Sequence, residues 1–366
     1  MKERNFQQIK EELPGIKRNV SLKSYTTFKI GGPAKYFFEA KGKEDLIEAI
    51  LVAESKKLPF FILGGGSNIL VSDKGYKGLI IKIKNQKSKI KNTNQKSKII
   101  ETESDALLSQ IVALALKNSL TGLEWAIGIP GTIGGAIYGN AGAFGRSTKD
   151  VIQKVEVFDL KDKKIKILKN KDCKFGYRDS IFKHANSARS PLARGMQTRP
   201  CEYPNLIILS ATLQLKKGNK KKIQEKMKEY LNYRKEKQPL NLPSAGSIFK
   251  NQKPKPEHKT KSFVLGRAHK YGLWIKNQKL LKEFSEIKEF NKKGQIPAAW
   301  LIEECGLKGK KVGNVKISEK HANFIVNLGG GKAKDVKKLI NLAKKKVKEK
   351  FGITLEEEIC YLGFKN

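Results

Sequence analysis

The sequence predicts a mixed α+β protein of two or three domains, and three observations carry that expectation. The chain is 366 residues long, beyond the size at which a single hydrophobic core keeps growing. Short β-branched or aromatic runs bounded by turn formers recur along it, as AKYFFEA, PFFILGG, GLIIKI, KVEVFDL and NLIILSATLQL, and read as strands. Longer segments carry apolar residues every three or four positions and read as helices. These are KEDLIEAILVAESKK, DALLSQIVALALKNS, KKKIQEKMKEYLNYRKEK and AKDVKKLINLAKKKVKEKF.

Taken in order, residues 1–20 (MKERNFQQIKEELPGIKRNV) form an N-terminal helical segment. This segment alternates charged with apolar positions and has no apolar stretch before a small-residue cleavage site, so the expected location is the cytoplasm. Residues 21–216 form a strand-rich domain and 217–366 a second domain, opened by a helix after LKKGNKKK. No apolar run approaches the roughly 18 residues that span a bilayer, so no membrane insertion is expected.

Three segments interrupt this pattern. Residues 82–98 hold seven Lys and no acid, and NQKSKI occurs at 85–90 and again at 94–99, which reads as a solvated loop or a hairpin extension. Residues 185–204 (ANSARSPLARGMQTRPCEYP) collect turn formers without a period. Residues 252–294 carry twelve basic against four acidic residues.

Composition limits the function classes. The net charge of +40 comes from 66 Lys and only nine Arg, spread over nearly every segment. Dispersed lysines neutralise phosphates without reading bases, so no specific nucleic-acid partner is expected, and the charge reads as solvated faces that attract anionic small molecules. The four cysteines are far apart without a C-x-x-C pair, beside four histidines, so neither metal nor disulfide is expected.

Two glycine-rich segments point to a ligand. LGGGSNILVSD (63–73) follows an apolar strand with three glycines before Ser67 and Asn68. Such a turn is either a tight strand connection or a nest of backbone N–H groups for an anion. IGIPGTIGGAIYGNAGAFG (127–145) holds seven glycines, too many for a turn, and implies close approach of a flat group or a pyrophosphate. Neither matches G-x-G-x-x-G or G-x-x-x-x-G-K-[ST], which disfavours Rossmann and P-loop sites.

These residues also carry a resemblance. YTTFKIGGPAKYF, LGGGSNILVSDKGYKGLII, GIPGTIGGAIYGNAGAFG, FGYRDSIFK, PSAGSIFKN and AAWLIEECGLKGKKVGNVKISEKHANFIVN stand in that order. Together they resemble the UDP-N-acetylenolpyruvoylglucosamine reductase (MurB) family of peptidoglycan synthesis, in its subclass without a tyrosine loop. The resemblance implies a two-part FAD-binding region of the vanillyl-alcohol-oxidase type over 21–216 and a smaller α+β substrate domain over 217–366. It implies bound FAD, NADPH as co-substrate, a UDP-sugar substrate and a monomer. By the same resemblance FAD is held by Gly64, Gly65, Gly66, Ser67, Asn68, Pro130, Gly131, Thr132, Gly134, Gly135, Asn140 and Gly142.

The family reaction reduces an enol ether conjugated to a carboxylate, which needs a hydride at one carbon and a proton at its neighbour. Ser247 in PSAGSIFKN reads from local sequence as an N-cap or turn serine; the resemblance makes it the proton donor. Arg178 in FGYRDS has the planar, fixed charge that holds a carboxylate, or else pairs with Asp179. Glu358 in LEEEICYLG matches the family glutamate that assists it, chosen over Glu356 and Glu357 by its place before Ile359. Lys237, Asn251 and Tyr177 are the implied substrate contacts. His321 in KHANFIVN reads as a packed histidine in framework. Two rivals stand beside this reading: another flavin enzyme on the same scaffold, and a basic nucleic-acid binder.

Overall fold

Apolar residues at every position of Leu79, Ile80 and Ile81 mark a strand covered on both faces, and the structure places it at the centre of a sheet. The computed structural model describes residues 2–83, 89–92, 97–184, 205–252 and 283–364. The chain divides into two compact units, 1–240 with 360–366, and 241–359.

The first unit begins with α1 (Lys2–Glu12), β1 (Lys17–Ser21), β2 (Pro33–Ala40), α2 (Lys43–Ser55), β3 (Phe60–Leu63), β4 (Ile69–Val71) and β5 (Tyr76–Ile83). Four of these strands form a sheet in the order β1-β2-β5-β3, with β2 and β3 both parallel to β5. Its two faces feed different cores. Tyr36, Phe38, Leu79 and Ile81 face α1 and α2, while Phe37, Ile80 and Leu63 pack with Leu22 and Val71. Coverage on both sides explains why these strands read as unbroken apolar runs.

Next come β6 (Lys89–Asn92), β7 (Ser97–Glu103), α3 (Leu108–Lys117), β8 (Leu120–Thr121), α4 (Ile133–Gly139), β9 (Gly142–Ala143) and β10 (Arg146–Ser147). They are followed by β11 (Ile152–Asp159), β12 (Lys164–Lys169), β13 (Leu206–Lys217) and α5 (Lys220–Lys237). An antiparallel sheet runs β12-β11-β13-β7-β6. Strand β13 joins the halves: Ile207 and Leu209 enter the core under α2, and Ala211, Leu213 and Leu215 enter the core under α3 and α4. This is the expected two-part arrangement.

The second unit holds β14 (Ser244–Ser247), α6 (Glu286–Lys293), α7 (Ala298–Glu304), β15 (Lys311–Val312), β16 (Val315–Ile317), β17 (Phe324–Asn327) and α8 (Ala333–Phe351). Its sheet runs β14-β17-β16-β15. The chain then returns to the first unit as β18 (Cys360–Leu362), parallel to β4.

Several expectations need correcting. Helix α5, expected to open the second domain, lies in the first unit, and so does the last strand. Lys82 and Ile83, expected in a basic insert, belong to β5, and Ile83 is buried. Ser97 and Lys98 pair with β13 through β7, and residues 89–92 pair antiparallel to β7 as an edge strand, which is the hairpin alternative. The insert drawn at 252–294 ends too late. Phe284 and Phe290 pack their rings on Trp300, and Ile287 is fully buried. Residues 185–204 and 253–282 lie outside the described residues. Cys360 is disulfide-bonded, against the expectation of no disulfide, because distance along the chain says nothing of distance in space. Among the described residues no helix is long and apolar enough to cross a membrane.

Candidate active site

The two glycine-rich segments, 63 residues apart at the Ser67–Pro130 bond, interlock within the first unit. The chain leaves β3 through Gly64, Gly65, Gly66 and Ser67. Gly66 has φ 62, and a Cβ on it would lie 2.1 Å from the Tyr25 carbonyl oxygen. A Cβ on Gly65 would lie 2.5 Å from Gly131 Cα, and one on Gly64 2.8 Å from Thr132 Oγ1. Ser67 Oγ donates to the Pro130 carbonyl at 3.1 Å, and the Asn68 carbonyl accepts from the Cys360 amide at 2.9 Å. Thr132 caps α4, with Oγ1 accepting from the Gly135 amide at 3.3 Å. Gly134 donates to the Ser104 carbonyl at 2.8 Å.

Among the described residues, no protein group accepts the backbone N–H groups of Gly65, Gly66 and Ser67. Consecutive amides beside a left-handed glycine form an anion nest. This donor set fits the pyrophosphate of a dinucleotide cofactor. Gly65→Ala is expected to destabilise by about 1–3 kcal/mol, because a methyl meets backbone that cannot yield, and to lower flavin content in parallel. Gly139, where a Cβ would meet nothing within 4 Å, is the control: Gly139→Ala should keep or raise the melting temperature.

Arg178 sits on a tight turn where Gly176 and Asp179 exchange backbone hydrogen bonds at 2.9 and 3.4 Å. Its φ is 54, a left-handed conformation that costs a side-chain-bearing residue about 1–2 kcal/mol. Its surroundings enforce that geometry. Asn140, 3% exposed, donates from Nδ2 to the Gly176 carbonyl at 2.6 Å and accepts at Oδ1 from the Lys149 amide at 3.1 Å. Lys183 Nζ donates to the Arg178 carbonyl at 2.7 Å, and Ser180 Oγ to the Tyr138 carbonyl at 2.6 Å. The guanidinium donates to the Gly142 carbonyl at 2.7 Å and lies 5.3 Å from the Tyr177 ring centre. Burial, with the Asp179 charge behind it, pushes the Tyr138 phenol up to about 12, so a neutral hydroxyl underlies this turn. Asn140, expected at the cofactor, thus spends Nδ2 on the Arg178 turn and Oδ1 on the Lys149 amide. Asp179 pairs with His184 at 2.7 Å.

Ser247 and Glu358 belong to the second unit, and the structure brings their strands side by side. PSAGSIFKN is a bulged strand, where the sequence reading expects a tight turn. Ser244 pairs with Val326, Ser247 with Phe324, and the register shifts between them, with Gly246 at φ 73 supplying the bend. Residues 248–252, which follow Ser247 directly, are not helical, which removes the N-cap alternative. Beyond β14 the Glu358 amide donates to the Ile248 carbonyl at 2.8 Å, and the Lys250 amide to the Glu356 carbonyl at 2.8 Å. The neighbouring acids are committed elsewhere. Glu356 pairs with Lys250 at 2.6 Å, and Glu357, 11% exposed, with Lys344 at 2.8 Å.

Lys237 ends α5 and pairs with the adjacent Glu236 at 2.6 Å. Asn251 Oδ1 accepts from the Ala298 amide at 3.2 Å, holding the first residue of α7. His321 is packed, its ring 4.8 Å from that of Phe324 and its Nδ1 accepting from the Asn323 amide at 3.3 Å. Burial holds this imidazole below its ordinary 6.5. The folded state therefore resists a proton that the unfolded chain takes up, and stability is complete above that value and lost as pH falls below it. His321→Gln should flatten the loss of urea-unfolding stability between pH 7 and about 5.

Comparisons with known proteins show the same division. The model of the UDP-N-acetylenolpyruvoylglucosamine reductase C-terminal domain matches residues 238–362, and an FAD-binding domain model matches residues 34–168. The UDP-N-acetylenolpyruvoylglucosamine reductase of Caldanaerobacter subterraneus subsp. tengcongensis is 39% identical over 347 residues, 95% of this chain and 93% of that one. That of Clostridium novyi is 37% identical over 348 residues, 95% and 92% of the two chains. The crystal structure of UDP-N-acetylenolpyruvylglucosamine reductase from Thermus caldophilus superposes with a TM-score of 0.66 at 30% identity, covering 94% of this chain and 98% of that one.

Proposed function

The chain belongs to the UDP-N-acetylenolpyruvoylglucosamine reductase family, and on that premise we propose that it reduces the enolpyruvyl ether of UDP-N-acetylglucosamine to UDP-N-acetylmuramate for peptidoglycan, with NADPH as reductant, Arg178, Glu358 and Ser247 acting on the substrate. It is an FAD-dependent oxidoreductase. In this reading it acts in the cytoplasm as a monomer.

Bound FAD supplies the hydride that reaches the vinyl terminus of the substrate. Gly64 to Asn68 and the segment from Pro130 to Gly142 would hold the cofactor, and the Gly65, Gly66 and Ser67 amides would serve as donors to its pyrophosphate. Hydride arrival drives negative charge into the substrate carboxylate. Arg178 holds that carboxylate with its planar guanidinium, and Glu358 fixes its orientation. Ser247 Oγ delivers the proton to the carbon bearing the carboxylate. A hydroxyl is a weak acid towards water but an adequate one towards so basic a carbon. Tyr177, Lys237 and Asn251 complete the substrate contacts.

The observation that carries this reading is the backbone hydrogen bond from the Glu358 amide to the Ile248 carbonyl, which joins the segment carrying Glu358 to the residue that follows Ser247. The purified protein is expected to be yellow, to release FAD on denaturation, and to turn over NADPH beyond one equivalent per flavin under anaerobic conditions only when the UDP-enolpyruvyl substrate is present. A colourless protein that takes up no added FAD would sink the proposal.

A further inference from the structure

Asn323 precedes β17 and is 3% exposed. Its carboxamide clasps both polar groups of one residue: Oδ1 accepts from the Phe249 amide at 2.9 Å, and Nδ2 donates to the Phe249 carbonyl at 2.8 Å. Its own carbonyl accepts from the Ile248 amide at 2.8 Å. The backbone ladder between β14 and β17 ends at the Ser247–Phe324 pair. Asn323 therefore adds one further rung with a side chain in place of main chain. Phe249, 2% exposed, could not leave these groups unpaired without a desolvation cost.

The residues so clasped are the two that follow Ser247, and the Ile248 carbonyl is the group that accepts from the Glu358 amide at 2.8 Å. One buried carboxamide thus braces the segment carrying the hydroxyl at the point where the segment carrying the carboxylate docks. We propose that Asn323 is a positioning residue for substrate protonation, setting the placement of Ser247 Oγ relative to Glu358. The inference rests on the roles given to those two residues above. No other common side chain of this length both donates and accepts at one peptide unit. Asp keeps the acceptor and loses the donor, Ala loses both, and Gln adds a methylene to a site without room.

The test separates the two half-reactions by anaerobic stopped flow in the holoenzyme. Asn323→Ala is expected to keep its FAD and its rate of flavin reduction by NADPH, while reoxidation by the enolpyruvyl substrate slows about 10- to 100-fold, the cost of a small misplacement. Asn323→Asp, which keeps volume and one bond, should lose less and serves if the alanine variant does not fold. In the Ser247→Ala background the Asn323 substitution should cost little more, since a residue acting through Ser247 has nothing left to position. Reoxidation within twofold of wild type in Asn323→Asp and Asn323→Ala, or losses that simply multiply with that of Ser247→Ala, would overturn the inference. Wild-type reoxidation in Ser247→Ala alone would instead overturn the assignment on which it rests.

Discussion

Ser247→Ala is expected to bleach its flavin with NADPH at nearly the wild-type rate and to return it to the oxidised form with the enolpyruvyl substrate about 10² to 10⁴ times more slowly, the usual worth of a positioned general acid. The split follows from which step needs a proton on carbon. Reduction of the cofactor draws on cofactor placement alone, and the glycine cradle that provides it lies in the other unit from Ser247. Saturation of the second carbon needs a donor at that carbon, and alanine offers none. A structural serine would behave differently, losing about 1 kcal/mol of stability with both steps preserved. The strand geometry of residues 244–247 leaves no helix for such a serine to cap. Equal slowing of both steps would return Ser247 to architecture.

Arg178→Gly should separate stability from activity even more sharply. Glycine adopts the φ of 54 without the strain of about 1–2 kcal/mol that arginine carries. It forfeits the hydrogen bond to the Gly142 carbonyl, worth about 1 kcal/mol. The two effects nearly cancel, so the melting temperature should stay close to wild type. Turnover should fall by about 10² to 10³, the range seen when one donor to a developing oxyanion is removed. Arg178→Lys should recover little of that, since an ammonium makes no bidentate contact and keeps the backbone strain. A glycine variant with undiminished kcat/KM would remove Arg178 from the reaction.

The sequence showed the regular elements well because their cause is local. Helices α5 and α8 coincide with the segments KKKIQEKMKEYLNYRKEK and AKDVKKLINLAKKKVKEKF, whose apolar residues recur at helical spacing. The glycine segments were legible as a pair because so many glycines exceed the needs of any turn. The boundary at 240 was not legible. The spacing of the apolar residues in α5 does not say which core they enter, and what fixes it to the first unit is Ile223, Met227 and Tyr230 with a buried Arg234 that donates to the Trp125 carbonyl across 109 residues. The braces Asn140 and Asn323 were equally hidden. Their partners lie 36 and 74 residues away, and an asparagine in a loop gives no sign of which peptide it clasps. Glu356 and Glu357 each meet a lysine in the structure, contacts that no pattern in LEEEICYLG announces.

The return of the chain to the first unit has a consequence for how the protein is made. β18 lies at residues 360–362 and pairs with β4 at 69–71, and Leu362 is fully buried among Leu22, Phe37 and Ile80. A unit assembled mostly from the first 240 residues therefore lacks one strand until residues 360–362 have been made. Domain-by-domain folding on the ribosome, which finishes an N-terminal domain before the next emerges, is closed to it. A nonsense codon between residues 241 and 360 leaves the first unit itself unfinished, so a truncated chain should be cleared as a misfolded protein before it could persist as a flavin carrier without a reductase.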